Sequence, residues 1–150
     1  MISKKMEKAF NDQIQAELYS AYLYMAMSAY FTSQNLDGFA QWMRIQTQEE
    51  VSHAMKMYDY LFERDGRAVL LPIDAPQKEW KSPLDAFQAA YKHEQLVTKR
   101  IHDMVNLALA EKDHAAHNFL QWFVNEQVEE EASVKAIIQQ LKLIGDSLAQ

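Results

Sequence analysis

Gln46-Thr47-Gln48-Glu49-Glu50-Val51-Ser52-His53 lies near the middle of a run, residues 39–65, that contains neither glycine nor proline. On a helix Glu50 and His53 share a face, one turn apart. Working outward, Phe39, Met43, Gln46, Glu50, His53, Met57 and Tyr60 recur at alternating steps of four and three. That is the spacing of a seam packed on partner helices. A carboxylate and an imidazole inside an apolar and aromatic seam are costly unless something pairs with them. A metal ion suits both.

The rest of the chain is organised the same way. Gly38, Gly66 and Gly145 fall near expected helix ends, and Pro72, Pro76 and Pro83 fall in or just after one irregular region. Four helices are expected, at about 3–32, 37–65, 83–111 and 113–144, each about 45 Å long. Asp37 is placed to cap the second, and Ser82-Pro83 followed by Asp85 reads as a cap, a first-turn proline and a first-turn acid. Gly66 after Arg64-Asp65 reads as a stop. The third helix ends near Lys112 without either punctuating residue. Short connections make the first and last pairs antiparallel hairpins. A crossover loop at 66–82 joins them, and its apolar Val69-Leu70-Leu71-Pro72-Ile73 run should pack along the bundle or against another subunit. The expected fold class is all-α, a single-domain four-helix bundle over 1–150 with one long crossover between helices two and three.

The other seams also carry polar residues at mid-helix. The first runs Phe10, Ile14, Glu17, Ala21, Tyr24, Ser28, Phe31; the third, Phe87, Tyr91, Glu94, Thr98, Ile101, Val105. The fourth runs Leu120, Phe123, Gln127, Glu130, Val134, Ile137, Leu141. Glu17 to Glu50 is a step of 33 residues, and so is Glu94 to Gln127. Two hairpins would thus bring their polar positions to one depth. Taken singly these residues mean little: a helical Glu is usually solvated, the Glu126–Glu131 run reads equally as a wet face, and Tyr24 and Trp122 read first as packing. The coincidence of four seams carries the argument.

Carboxylates with one imidazole and no thiolate suit hard to borderline cations. Glu residues on two helices with Glu-x-x-His pairs on the others is the ligand pattern of di-iron bundles. Glu50 is central enough to bridge two ions. Glu17 and His53 would complete one site, and Glu94 with Glu130 or Gln127 the other. In the second hairpin the Glu-x-x-His slot reads Gln127-x-x-Glu130, which ligates more weakly and suits iron that must leave.

Composition narrows the classes. A net charge of −6 and a pI near 5.3 argue against nucleic acid or an anionic membrane as partner. With no cysteine, disulfides and thiolate-bound metals are excluded. No apolar leader or membrane-length run is apparent, so the expected address is cytoplasmic.

These residues, with the AELYSAYLYMAMSAYF, EEVSHAMKMYDYLFERDGR and FVNEQVEEE runs, strongly resemble the bacterial non-haem ferritins over essentially the whole chain. The resemblance implies the ferritin-like bundle assembled into a hollow shell of twenty-four subunits. It implies a ferroxidase centre of Glu17, Glu50, His53, Glu94, Gln127 and Glu130, where two Fe(II) are oxidised by dioxygen or hydrogen peroxide. It further implies a third iron site of Glu49, Glu126, Glu129 and Glu130, with Tyr24 beside the centre as an electron donor. Val51 stands where bacterioferritins carry a haem-ligating methionine, so no haem is expected. Rubrerythrins add a cysteine-rich iron module that this chain lacks. His117 and Leu120 stand where animal ferritins line an acidic three-fold channel, which leaves the iron entry route open. The chain stops soon after a break expected at Gly145-Asp146-Ser147, where relatives usually continue into a fifth helix lining the four-fold axis.

Iron storage with ferroxidase activity is therefore the leading expectation. A di-iron oxidase or peroxidase without storage is the alternative, and would need a retained metal pair and a substrate pocket. A helical assembly protein whose buried acids only specify pairing would bind no metal.

Overall fold

The computed structural model describes the backbone of residues 1–148 and side chains as far as residue 145. Among them are four helices: α1 (Lys4–Ser33), α2 (Asp37–Glu63), α3 (Pro83–Ala110) and α4 (His114–Leu148). The chain divides into two compact units, one from Met1 to Glu79 and the other from Trp80 onward. Each contains one helical hairpin.

In the first unit, Ser3 caps α1 by accepting from the Met6 amide at 3.1 Å. The buried stripe of α1 passes through Met6, Phe10, Ile14, Glu17, Ala21, Tyr24 and Phe31, and that of α2 through Ala40, Met43, Glu50, His53, Met57 and Leu61. Phe10 meets Tyr60 with ring centroids 5.2 Å apart, and Phe31 meets Phe39 at 5.3 Å. Ser28 donates to the Ala40 carbonyl at 2.8 Å, tying the two helices near their connection.

The helix ends correct the sequence reading in an instructive way. Asn35, Asp65 and Lys112 adopt φ of 60°, 61° and 57°, whereas no described glycine has positive φ. After each of these residues the next amide reaches back to a carbonyl of the last turn: Leu36 to Phe31, Gly66 to Leu61 and Asp113 to Ala108, at 2.8–2.9 Å. This is the left-handed C-terminal closure usually made by glycine. Gly66 serves a different purpose. A Cβ there would stand 3.0 Å from Ile2 Cγ2 and 3.2 Å from the Leu61 carbonyl oxygen, so its place depends on a close approach and not on a left-handed backbone. Asp37, expected to cap α2, is its first residue; Leu36 holds the cap position without a side-chain hydrogen bond. Asp37 still places a negative charge in the first turn, where the helix dipole favours it.

The crossover leaves α2 at Arg64 and runs along α1. Asn11 donates through Nδ2 to the Arg67 carbonyl at 3.0 Å and accepts from the Val69 amide at 2.8 Å. Gln15 donates to the Pro72 carbonyl, and Glu7 accepts from the Arg67 amide. Backbone groups with no helical partner are thus satisfied by the polar edge of α1. The apolar run is not buried: Val69, Leu70, Leu71 and Ile73 remain exposed.

In the second unit, Ser82 accepts from the Asp85 amide at 3.1 Å and Pro83 occupies the first turn of α3. Asp113 caps α4 by accepting from the Ala116 amide at 3.0 Å. The fourth helix was expected to end at 144, yet it continues through Gly145 to Leu148. Glycine weakens a helix by about 1 kcal/mol relative to alanine but keeps both backbone hydrogen-bonding groups, so alone it does not end one. The buried stripe of α3 follows Phe87, Ala90, Glu94, Val97, Ile101 and Met104, one residue before Tyr91, Thr98 and Val105 of the expected seam. In α4 the stripe reaches Ile138 where Ile137 was expected. In α3 the expected and observed stripes share Phe87, Glu94 and Ile101 with the same seven-residue period; burial falls on the side of Ala90, Val97 and Met104, so Thr98 stands at the flank.

Asn11→Ala should loosen the crossover, lowering stability by about 1–3 kcal/mol. Urea denaturation and hydrogen exchange at the Val69 amide would measure this. Unchanged exchange at Val69 would show that Asn11 does not anchor the segment.

Candidate metal centre

The first hairpin brings Glu17 of α1 to Glu50 and His53 of α2, each at most 3% exposed. His53 Nδ1 stands 3.5 Å from Glu50 Oε2 and 3.9 Å from Glu17 Oε2. One ligand atom from each of the three lies within 4.8 Å of the others. Glu17 Oε1 accepts from Gln13 Nε2 at 3.1 Å, while Glu17 Oε2 accepts no hydrogen bond from any described residue. Taken hairpin by hairpin, this is the only such acid–imidazole cluster among the described residues.

Its electrostatics are strained. Burial pushes the Glu17 carboxyl well above the usual 4.5, and the charge and hydrogen bond of Glu50 push the same way. His53 and Gln13 oppose them. Two buried carboxylates side by side cannot both ionise cheaply. A divalent cation between them and the imidazole would reverse that preference, because its charge favours deprotonated ligands. The donor set, two carboxylates and one imidazole, fits a borderline cation such as iron.

The second hairpin carries Glu94 of α3 and Gln127 and Glu130 of α4, exposed by 1%, 2% and 5%. Gln127 Nε2 stands 3.1 Å from Glu94 Oε2, 3.0 Å from Thr98 Oγ1 and 3.2 Å from the Glu94 carbonyl oxygen. Thr98 Oγ1 in turn stands 2.6 Å from Glu131 Oε2. This half-site is organised by hydrogen bonding between an amide and a carboxylate.

The remaining candidates divide by exposure. Glu49 and Glu126 are half-buried and Glu129 is exposed; among the described residues of their own hairpins they join no three-ligand cluster. Tyr24 is buried on the Glu17 stripe, about two turns along α1. Thr98 and Glu131 were not singled out from the sequence as site residues. Each follows a candidate ligand by four positions, Glu94 and Gln127 respectively, which is the spacing that would have pointed to them.

The ferritin-like domain model matches residues 7–144. The chain belongs to the ferritin family. Among its relatives, the bacterial non-heme ferritin of Bacteroides fragilis is 45% identical over 98% of this chain and 92% of its own length. That of Campylobacter jejuni is 42% identical over 97% of this chain and 87% of its own. Among solved structures, an open pore ferritin from the hyperthermophilic archaeon Archaeoglobus fulgidus superposes with a TM-score of 0.96 at 57% identity, covering 97% of this chain and 90% of that one. The fold class of this ferritin chain is accordingly the ferritin-like four-helix bundle.

The pH dependence of this ferritin follows from Glu17. Its folded-state pKa lies above the unfolded one, so the associated stability is complete below the ordinary carboxylate range. That stability is lost as pH rises through the raised value. In protein stripped of divalent ions by chelation, the denaturation midpoint should therefore fall as pH climbs from the carboxylate range. Glu17→Gln should flatten that fall. Identical pH profiles for the two proteins would contradict the assignment.

Proposed function

We propose that this chain stores iron, oxidising Fe(II) at an intrabundle ferroxidase centre and depositing Fe(III) mineral inside a shell built from its own copies. The observation that carries the reading is the fully buried Glu17–Glu50–His53 cluster in a chain of the ferritin family. We take residues 1–150 as one ferritin-like domain, in keeping with a family match that spans both hairpins.

Glu17 and His53 hold one Fe(II), Glu50 bridges, and Glu94 with Glu130 or Gln127 holds the second. Each Fe(II) gives up one electron, and dioxygen takes two electrons and two protons to leave as hydrogen peroxide. The protein supplies the placement of two reductants side by side, an entropy cost met during folding. It also supplies carboxylates, which favour the Fe(III) product over Fe(II). A neutral amide at Gln127 holds its ion less firmly than an imidazole or a carboxylate, which suits a cargo that moves on. Glu49, Glu126, Glu129 and Glu130 form a third iron site on the way out, and Tyr24 serves as an electron donor beside the centre. Val51 follows the bridging acid where a haem-ligating methionine would stand, which supports a haem-free centre.

A hollow assembly of twenty-four copies follows the family, and that the Archaeoglobus relative is described by its open pores favours a shell. The exposed Val69–Ile73 run offers apolar surface for contact between copies. No helix among the described residues is long and apolar enough to cross a membrane, and we place the protein in the cytoplasm.

Glu50→Ala or His53→Ala should slow rapid aerobic Fe(II) oxidation by orders of magnitude while the far-ultraviolet circular dichroism stays helical. Stopped-flow absorbance would follow the oxidation, and wild-type rates in both variants would end the ferroxidase assignment. Storage has its own test. Protein loaded aerobically with Fe(II) should carry iron through size exclusion in a very large particle, far beyond the few ions one bundle can ligate. A small species with about two irons per chain would retain the centre but remove storage.

A further inference from the structure

The second half-site contains a chain of contacts whose hydrogen count is decisive. The Thr98 hydroxyl has one hydrogen and two neighbouring acceptors, Glu131 Oε2 at 2.6 Å and the Glu94 carbonyl at 3.0 Å. The shorter contact is to a carboxylate, and charge-assisted bonds are the stronger ones. With that hydrogen given to Glu131, Thr98 Oγ1 can only accept toward Gln127. Gln127 then has to present its NH2 group there, at 3.0 Å. Among the described residues, the acceptors its two hydrogens face all lie on α3: the Thr98 hydroxyl and the side chain and backbone of Glu94.

This settles which end of the amide faces which way. Only the carbonyl oxygen of a glutamine ligates a cation readily; the NH2 group repels one. While Glu94 Oε2 accepts from Gln127, it also favours this orientation. A cation bound by Glu94 competes for that carboxylate, and Thr98 then becomes the side-chain contact that keeps the nitrogen on α3. Were Thr98 free to turn its hydrogen toward Gln127, it would stabilise the flipped amide. Glu131 prevents that turn.

We propose that Thr98 and Glu131 are positioning residues that hold the Gln127 amide nitrogen on α3 and leave its carbonyl oxygen to ligate the second Fe(II). The proposal rests on the ferroxidase reading and specifies how a neutral amide serves in it. Neither residue touches iron.

Anaerobic titration with Co(II), followed by visible absorption and calorimetry, tests binding without any oxidation. Wild-type protein is expected to take two ions per chain, the second less tightly than the first. Thr98→Val should leave the first intact and weaken the second by about tenfold or more, the usual effect of disturbing a hydrogen bond to a ligand. Thr98→Ser should restore wild-type affinity. Glu131→Ala should weaken the same ion, and the double variant T98V/E131A should be no weaker than T98V, because both residues act through one contact. Equal second-ion affinity in T98V and wild type would overturn the proposal. So would a T98S protein as weak as T98V, which would make packing the cause, or additive losses in the double variant, which would make Glu131 an independent charge. Wild-type protein that binds no Co(II) would instead remove the di-iron reading itself.

Discussion

Burying acids in the middle of helices is the constraint on which the rest of this structure depends. Glu17, Glu50, Glu94 and Glu130 are each exposed by 5% or less. Moving a carboxylate out of water costs several kcal/mol unless other groups replace the lost solvation. The chain meets that cost locally. Gln13 donates to Glu17, His53 stands beside both acids of its hairpin, and Gln127 donates to Glu94. Phe10, Met27, Met43 and Met57, together with Ile101 and Phe123 in the other hairpin, continue the same stripes as fully apolar packing. Long uninterrupted helices are a natural consequence. They satisfy their interior backbone groups internally, so the buried polar groups that need partners from elsewhere are side chains.

The two hairpins solve the same problem with different chemistry. In the first, an acid is held above its normal protonation range against a second acid and an imidazole, a charge conflict that a cation relieves. In the second, an amide mediates between a carboxylate and a threonine, with Glu130 buried on the same hairpin. On the proposed reading, one position favours a cation strongly and the other permits it. That asymmetry suits a centre whose ions pass through.

Much of this was legible along the chain. Steps of three and four with acids at mid-seam located Glu17, Glu50, His53, Glu94, Gln127 and Glu130, and all six are buried. The punctuation was harder to read. Residues that routinely mark helix ends carried little weight here: Gly145 lies inside α4, and Gly66 is set by its contact with Ile2. The left-handed positions belong to Asn35, Asp65 and Lys112. Asn and Asp visit the left-handed region more readily than other non-glycine residues, and at Lys112 tertiary context imposes a penalty of about 1–2 kcal/mol. Along the chain Thr98 reads only as a seam position and Glu131 only as part of an acidic run, because singly both residues look ordinary. Their significance is a 2.6 Å contact across two helices.

What the sequence determined by itself was periodicity and residue type: helices, their pairing into hairpins, which face is buried and which ligand atoms lie on it. These depend on local geometry, on the 3.6-residue turn and on the cost of leaving apolar surface in water. The tertiary structure alone decided distances and orientations. It set how closely Glu17 approaches Glu50 and His53, which end of the Gln127 amide faces α3, and where the crossover lies along α1. Those outcomes follow from contacts between residues far apart in the chain, and ångström differences between such groups govern both protonation and ligation.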